Sequence, residues 1–190
     1  GNANLEIKFG SSDSKKENLI YLPNTKNIKN DYVDIRAQAD SEALKIKYTN
    51  KKTYLKNQPS SKIARDLYSI AENVRCEKIG ADKLKGIKKN ITQSYGNKLK
   101  NLDFKTINES IDIFTLTAFE FYLRNYFFEE KQNKIKKKLN KWQNIFDKKI
   151  KKYLPQLKKS LNHQETFNEL VKNMLDGLEL ASESSDKEKE

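Results

Sequence analysis

Residues 111–128 read Ile-Asp-Ile-Phe-Thr-Leu-Thr-Ala-Phe-Glu-Phe-Tyr-Leu-Arg-Asn-Tyr-Phe-Phe. Twelve of these eighteen are apolar or aromatic, and at 3.6 residues per turn they leave no broad polar face. Such a segment holds together in water only when neighbours surround it. The stretch therefore predicts a central buried helix and a mainly α fold. Just upstream, Thr106-Ile-Asn-Glu109 has the spacing of a capping box, in which Thr and Glu satisfy backbone donors at a helix start.

The flanking segments supply amphipathic helices to surround it. Downstream, Ile135, Leu139, Trp142, Phe146, Ile150, Tyr153 and Leu157 recur at steps of three and four, which predicts a helix over 131–158. Pro155 should kink or end it, since proline lacks the N–H and crowds the preceding turn. Asn162-His-Gln-Glu165 resembles a further cap. It precedes Phe167, Leu170, Val171, Met174, Leu175 and Leu178, the apolar stripe of a last helix. Upstream, Ser60-Ser61 offers an N-cap for a stripe of Ile63, Leu67, Ile70 and Val74 ending near Gly80. Leu84, Ile87 and Ile91 continue at helical spacing, interrupted by Gly86, and residues 94–105 read as a loop. Val33, Ala37, Leu44 and Tyr48 predict a helix at about 31–48, although its Leu-Lys-Ile-Lys-Tyr end also fits a strand. Residues 49–59 close on Pro59.

At the N-terminus the period changes to two. Leu5-Glu-Ile-Lys-Phe9 alternates as a half-buried strand does, and Leu19-Ile-Tyr-Leu22 could pair with it. The polar stretch between them would be a hairpin loop. The predicted fold class is thus mainly α, a helical domain with a small N-terminal β-hairpin. Three parts follow: a β element and linker over 1–30, a helical domain over 31–180, and an acidic, disordered linker start over 181–190. There is no internal repeat.

Composition supports a folded chain. Leu, Ile, Val and Phe make up 47 of the 190 residues, above the roughly 20% below which a highly charged chain fails to collapse. No apolar run approaches the roughly 20 residues of a membrane span. A single Cys forms no internal disulfide and fits a reducing cytoplasm. The chain opens on Gly1-Asn2-Ala3, as an excised piece of a longer protein would. The net charge of +12 is uneven: residues 131–159 hold 12 Lys and one Asp. Of the 38 basic residues only Arg36, Arg65, Arg75 and Arg124 are Arg, and with 20 Asn this is what an A/T-rich coding sequence produces.

The basic segment is the strongest physical signal. It reads as a solvated helix face, as a surface for an acidic protein, or as one for nucleic acid or anionic lipid. Guanine recognition favours the planar fork of Arg, which the segment lacks, so sequence-specific DNA binding is disfavoured. Trp142, Phe146 and Tyr153 lie on the apolar stripe and are expected in the core rather than stacked on bases.

Catalytic signatures are missing. There is no phosphate-binding Gly-x4-Gly-Lys-Ser/Thr loop, no Gly-x-Gly-x-x-Gly, no Cys-x-x-Cys and no His pair. His163 reads as a polar first-turn residue of the last helix rather than a proton shuttle. Cys76 reads as a half-buried structural thiol rather than a nucleophile. Asp31 and Asp34 suit a helix start, and Glu129 and Glu130 a solvated helix end.

The order of residues goes further than composition. Arg36-Ala-Gln-Ala-Asp40 is followed by Ala43-Leu-Lys-Ile-Lys47. Then come Ala71-Glu-Asn-Val-Arg-Cys-Glu-Lys-Ile-Gly-Ala81 and Leu84-Lys-Gly-Ile-Lys-Lys-Asn90. This region resembles the N-terminal region of CobT, a subunit family of the aerobic cobaltochelatase of cobalamin biosynthesis. Cys76 and Ile87 stand where that family tends to carry Val. The resemblance is specific over 65–90 and looser after 100.

The resemblance implies a non-catalytic assembly or docking module in an ATP-dependent complex. That complex inserts Co(II) into a corrin ring, hydrogenobyrinic acid a,c-diamide. The implied partners are a CobS-like AAA+ subunit and the large tetrapyrrole-binding subunit, with no membrane. ATP, magnesium and cobalt belong to the assembled complex, and no cofactor, metal or catalytic residue is expected in this chain. CobT continues into a von Willebrand A domain. Ser182-Glu-Ser-Ser-Asp186 follows no apolar strand and is not that domain's metal site, so the domain is absent from this sequence. Arg75, Glu77, Gly80, Gly86 and Asn90 are the candidate partner contacts. Their rival reading is structural: ion pairs within the domain for Arg75 and Glu77, and helix breaks or close packing for the glycines. The alternative function is a Lys-rich helical module that binds nucleic acid or an acidic protein surface.

Overall fold

The computed structural model describes residues 6–10, 19–22, 28–102, 111–129 and 140–178. The predicted capping box at 106–109, the first part of the Lys-rich segment and the acidic stretch 181–190 lie outside these residues. The described elements are strands β1 (Glu6–Phe9) and β2 (Leu19–Leu22), followed by helices α1 (Ile28–Tyr48), α2 (Lys51–Lys56), α3 (Lys62–Lys83), α4 (Lys85–Lys100) and α5 (Ile111–Phe128). Then come α6 (Asn140–Lys149), a 3-10 turn (Lys151–Tyr153), α7 (Leu154–Lys159) and α8 (Gln164–Asp176). The fold is mainly α with a small N-terminal β element, as expected.

The hub is α3, which packs against α1, α4, α5 and α8. Its start is set by Ser61, whose Oγ accepts from the Ala64 N–H at 3.3 Å. Surrounded on several sides, it buries Leu67, Tyr68, Ala71, Val74, Cys76, Ile79 and Ala81. Helix α5 is buried mainly over its second half, where Phe119, Leu123 and Phe127 are at most 1% exposed, while Ile113 near its start is 50% exposed. The central place expected for this helix belongs to α3, because α5 packs chiefly on α3 and α6. From α6, Phe146 enters edge-on to Phe119 at 5.9 Å and meets Tyr122 at 5.3 Å. Helix α8 adds Phe167, Val171 and Met174 to the same core. No described helix is long and apolar enough to cross a membrane.

Several expectations are corrected. The N-terminal strands pair in parallel, Glu6 with Leu19 through Phe9 with Leu22, so the element is not a hairpin. Residues 94–100 are helix rather than loop, because Ile91, Tyr95 and Leu99 form one buried stripe at i, i+4, i+8. Their burial overrides the turn-like Ser94-Tyr-Gly-Asn97. Within 49–59, to which the sequence assigned no element, Lys51–Lys56 forms α2, capped by Asn50, whose Oδ1 accepts from the Thr53 N–H at 3.1 Å. The Leu44–Tyr48 end of α1 is helical. Helix α3 passes Gly80 and breaks at Leu84, which adopts an extended conformation at φ −131°, ψ 106°.

Near the C-terminus, the predicted continuous helix breaks at Ile150, five residues ahead of Pro155. Pro155 has no N–H for the Lys151 carbonyl and its ring crowds that turn. The chain tightens to 3-10 geometry and restarts with Pro155 in the first turn of α7. The last helix starts from His163 rather than Asn162, with no side-chain capping bond.

Candidate functional site

The five candidate contacts lie on α3 and α4, and two of them, Arg75 and Glu77, anchor a buried charge network. Arg75 is 2% exposed. Its Nε and Nη2 donate to the two Glu72 carboxylate oxygens at 2.9 and 2.7 Å. Nη1 donates to the Leu161 carbonyl at 2.9 Å and Nη2 to the Tyr48 carbonyl at 2.5 Å. One guanidinium therefore pins α3 to the end of α1 and to the turn before α8, with the Phe167 ring 5.8 Å from its centre. Burial disfavours the Arg75 charge, yet the bonds and charge of Glu72 win and push its pKa up. Thr49 Oγ1 donates to Glu72 Oε1 at 2.7 Å and lies 3.3 Å from the Cys76 sulfur.

The second pair is Glu77 with Arg124, joining α3 to α5. Glu77 Oε1 also accepts from Ser41 Oγ of α1 at 2.6 Å. Arg124 Nε donates to Glu120 at 3.0 Å, and Lys98 of α4 donates to the other Glu120 oxygen at 2.6 Å. The Arg124 guanidinium stacks 4.3 Å above the Tyr95 ring. Burial raises the Glu120 pKa, but the Arg124 and Lys98 charges outweigh it and hold the carboxyl below its ordinary value. The two pairs together tie α1, α4, α5 and the turn before α8 to the hub helix.

The remaining candidates sit at closer approaches. A Cβ on Gly80 would meet Leu44 Cδ2 at 2.3 Å, so this glycine lets α1 close on α3. Gly86 has nothing within 4 Å of a Cβ. Asn90 Nδ2 donates to Asp40 at 2.8 Å, joining α4 to α1. Thus Arg75, Glu77, Gly80 and Asn90 all make contacts within the chain, and the exposed Gly86 stands on open surface.

Reading the sequence missed the other halves of these pairs. Arg124 carried a usable signal: it is the one cation in a mostly apolar helix, four residues after Glu120. Glu72, at i−3 from Arg75, carried another. Nothing in the sequence pointed to Ser41, Thr49 or Lys98, because only the tertiary fold brings them there.

The network is closed chemistry. Cys76 is fully buried rather than half-buried, and burial pushes its thiol up to about 11. His163 is exposed at the start of α8. Among the described residues, no group of His, Cys, Asp and Glu could hold a metal ion. A cleft of about 440 Å³ lies beside Arg75, lined by Lys47, Tyr48, Thr49, Asn50 and Gln164 among others. A second, of about 360 Å³, lies beside Glu77 and Arg124.

The network ties together the segment whose residue order resembled CobT. A family model described as "Cobalamin biosynthesis protein CobT" matches residues 1–190, the whole chain. The chain belongs to the CobT family. No solved structure matches it. Within this CobT-family chain, the stretch 71–81 makes up most of the C-terminal half of the hub helix α3. Its charged and small residues serve packing: Arg75 and Glu77 pair with charges inside, while Gly80 allows the close approach of Leu44. Phe146 is buried and Trp142 packs on Phe114 and Phe146, so these two aromatics belong to the core as expected.

Proposed function

We propose that this chain is a non-catalytic domain of a cobaltochelatase subunit. It acts as an assembly module in an ATP-driven complex whose substrates are Co(II) and hydrogenobyrinic acid a,c-diamide. The CobT match over the entire chain carries this reading. ATP hydrolysis and its magnesium are assigned to a CobS-like AAA+ partner, and the tetrapyrrole to the large subunit. The complex works in the cytoplasm. Residues 31–180 form the docking body.

The residues that carry the resemblance support a scaffold role, since four of the five are engaged within the chain. Partner contact is assigned to the α3–α4 joint, where Lys83, Leu84, Lys85 and Gly86 are exposed in a row and Leu84 is 56% exposed. A pull-down against the AAA+ subunit tests this. Capture of the wild-type chain and loss of capture by Leu84→Asp are expected. Capture of full-length CobT without capture of this chain would overturn the docking role.

A second reading rests on Lys148, Lys149, Lys151, Lys152, Lys158 and Lys159, all of which are exposed. They would suit an acidic protein surface or a nucleic-acid backbone, with binding that weakens steeply as salt rises. Retention on neither an acidic protein nor RNA at low ionic strength would remove it.

A further inference from the structure

Among the described residues, the N-terminal sheet has one finished edge and one open edge. Ile20 and Leu22 of β2 are 5% and 6% exposed, and β2 packs on α1. On the far side of β2, the Tyr21 carbonyl accepts from Gln38 Nε2 of α1 at 3.2 Å. That edge is covered.

β1 is different. Ile7 and Phe9 stand in register with Ile20 and Leu22, on the same face, yet they are 56% and 61% exposed. The Gly10 N–H donates to the Leu22 carbonyl at 2.9 Å. Backbone groups alternate sides along a strand, so Lys8 and Gly10 address β2 while Ile7 and Phe9 turn their N–H and C=O to the open edge. Two-stranded sheets are marginal in water, and parallel ones are ordinarily covered on both faces. An open edge beside exposed apolar side chains is a template for another strand.

We propose that this edge pairs antiparallel with β1 of a second copy of the chain, on a two-fold axis at Ile7. The charges select this partner and this register. With Ile7 opposite Ile7 of the other copy, Glu6 of each copy faces Lys8 of the other, twice over. Opposite charges facing across strands stabilise, and like charges destabilise. Shifting the register to bring Ile7 opposite Phe9 would place Lys8 against Lys8. The product is a four-stranded sheet in which the exposed Ile7 and Phe9 of both copies form one apolar strip. A four-residue strand buries less area than a standard protein interface, so the dimer is a weak one. This inference is independent of the chelatase assignment.

Cysteine cross-linking on the 190-residue chain tests both pairing and register. Residues opposite each other in a hydrogen-bonded antiparallel pair have Cα atoms about 5.5 Å apart, within disulfide reach. The natural Cys76 is fully buried and stays silent. Under mild oxidation Ile7→Cys should give a covalent dimer at least tenfold faster than Lys8→Cys. Sedimentation should show a concentration-dependent dimer that Lys8→Glu weakens about tenfold, because the new carboxylate of each copy would then face Glu6 of the other. The exchanged variant Glu6→Lys/Lys8→Glu should restore it. A chain that stays monomeric at high concentration, or faster cross-linking through Lys8→Cys, overturns the proposal. So does a dimer indifferent to both charge variants.

Discussion

Arg75 and Glu72 stand one turn apart on α3 and share two hydrogen bonds with both side chains 2% exposed. Removing one partner leaves a bare charge in the core, which costs about 3–5 kcal/mol. Arg75→Met should therefore lower the urea midpoint severely. Arg75→Lys should fall in between, since one ammonium cannot reach Glu72 and the Tyr48 and Leu161 carbonyls together. A Lys variant as stable as wild type would show that the fork geometry is dispensable.

The two glycines of the resembling stretch should respond to alanine with opposite signs. Gly80→Ala drives a methyl into buried Leu44, and overpacking of this kind costs about 1–3 kcal/mol. Leu44→Ala should rescue part of that loss, read as coupling in a double-mutant cycle. Gly86→Ala meets nothing in α4 and should stabilise by up to about 1 kcal/mol through a less flexible unfolded chain. Thermal melts of the four variants, the two singles and the double of the cycle together with Gly86→Ala, separate the cases.

Cys76 should be protected from thiol reagents. Burial pushes its pKa from 9.0 up to about 11 in the folded chain, with the nearby Glu72 charge adding to the effect. The folded state thus holds the thiol proton more tightly than the unfolded state. The associated stability is complete below pH 9 and is lost as pH rises toward 11. At about pH 8 the native chain should react with a disulfide reagent at the rate of global opening, and denaturant should accelerate it by orders of magnitude. Immediate stoichiometric labelling of folded protein would contradict the burial of this residue.

Glu120 should contribute to acid sensitivity. Its folded pKa lies below the ordinary 4.5, so the unfolded state binds the proton first. Stability linked to this group is present above that value and is lost as pH falls through the folded pKa. Glu120→Gln should flatten the loss of stability below about pH 4.5 without changing the shape of the profile above about pH 6. An unchanged acid limb would show that Arg124 is satisfied by Glu77 alone.

The chain's own residue order determined the helical class, most helix positions and the burial of much of 111–128, because apolar periodicity records which face each helix must hide. It also pointed to the family, most specifically through the stretch 65–90. Tertiary structure decided the rest. Ser94–Lys100 became helix because Tyr95 and Leu99 found a core to enter. β1 ran parallel to β2, a choice that alternation of side chains cannot encode since both directions present the same faces. Arg75 and Glu77 could be read as surface contacts or as internal ion pairs while they were letters in a row. The choice needed Glu72, Arg124, Tyr48 and Leu161, and only folding brings charges and carbonyls from such distant positions within hydrogen-bond reach.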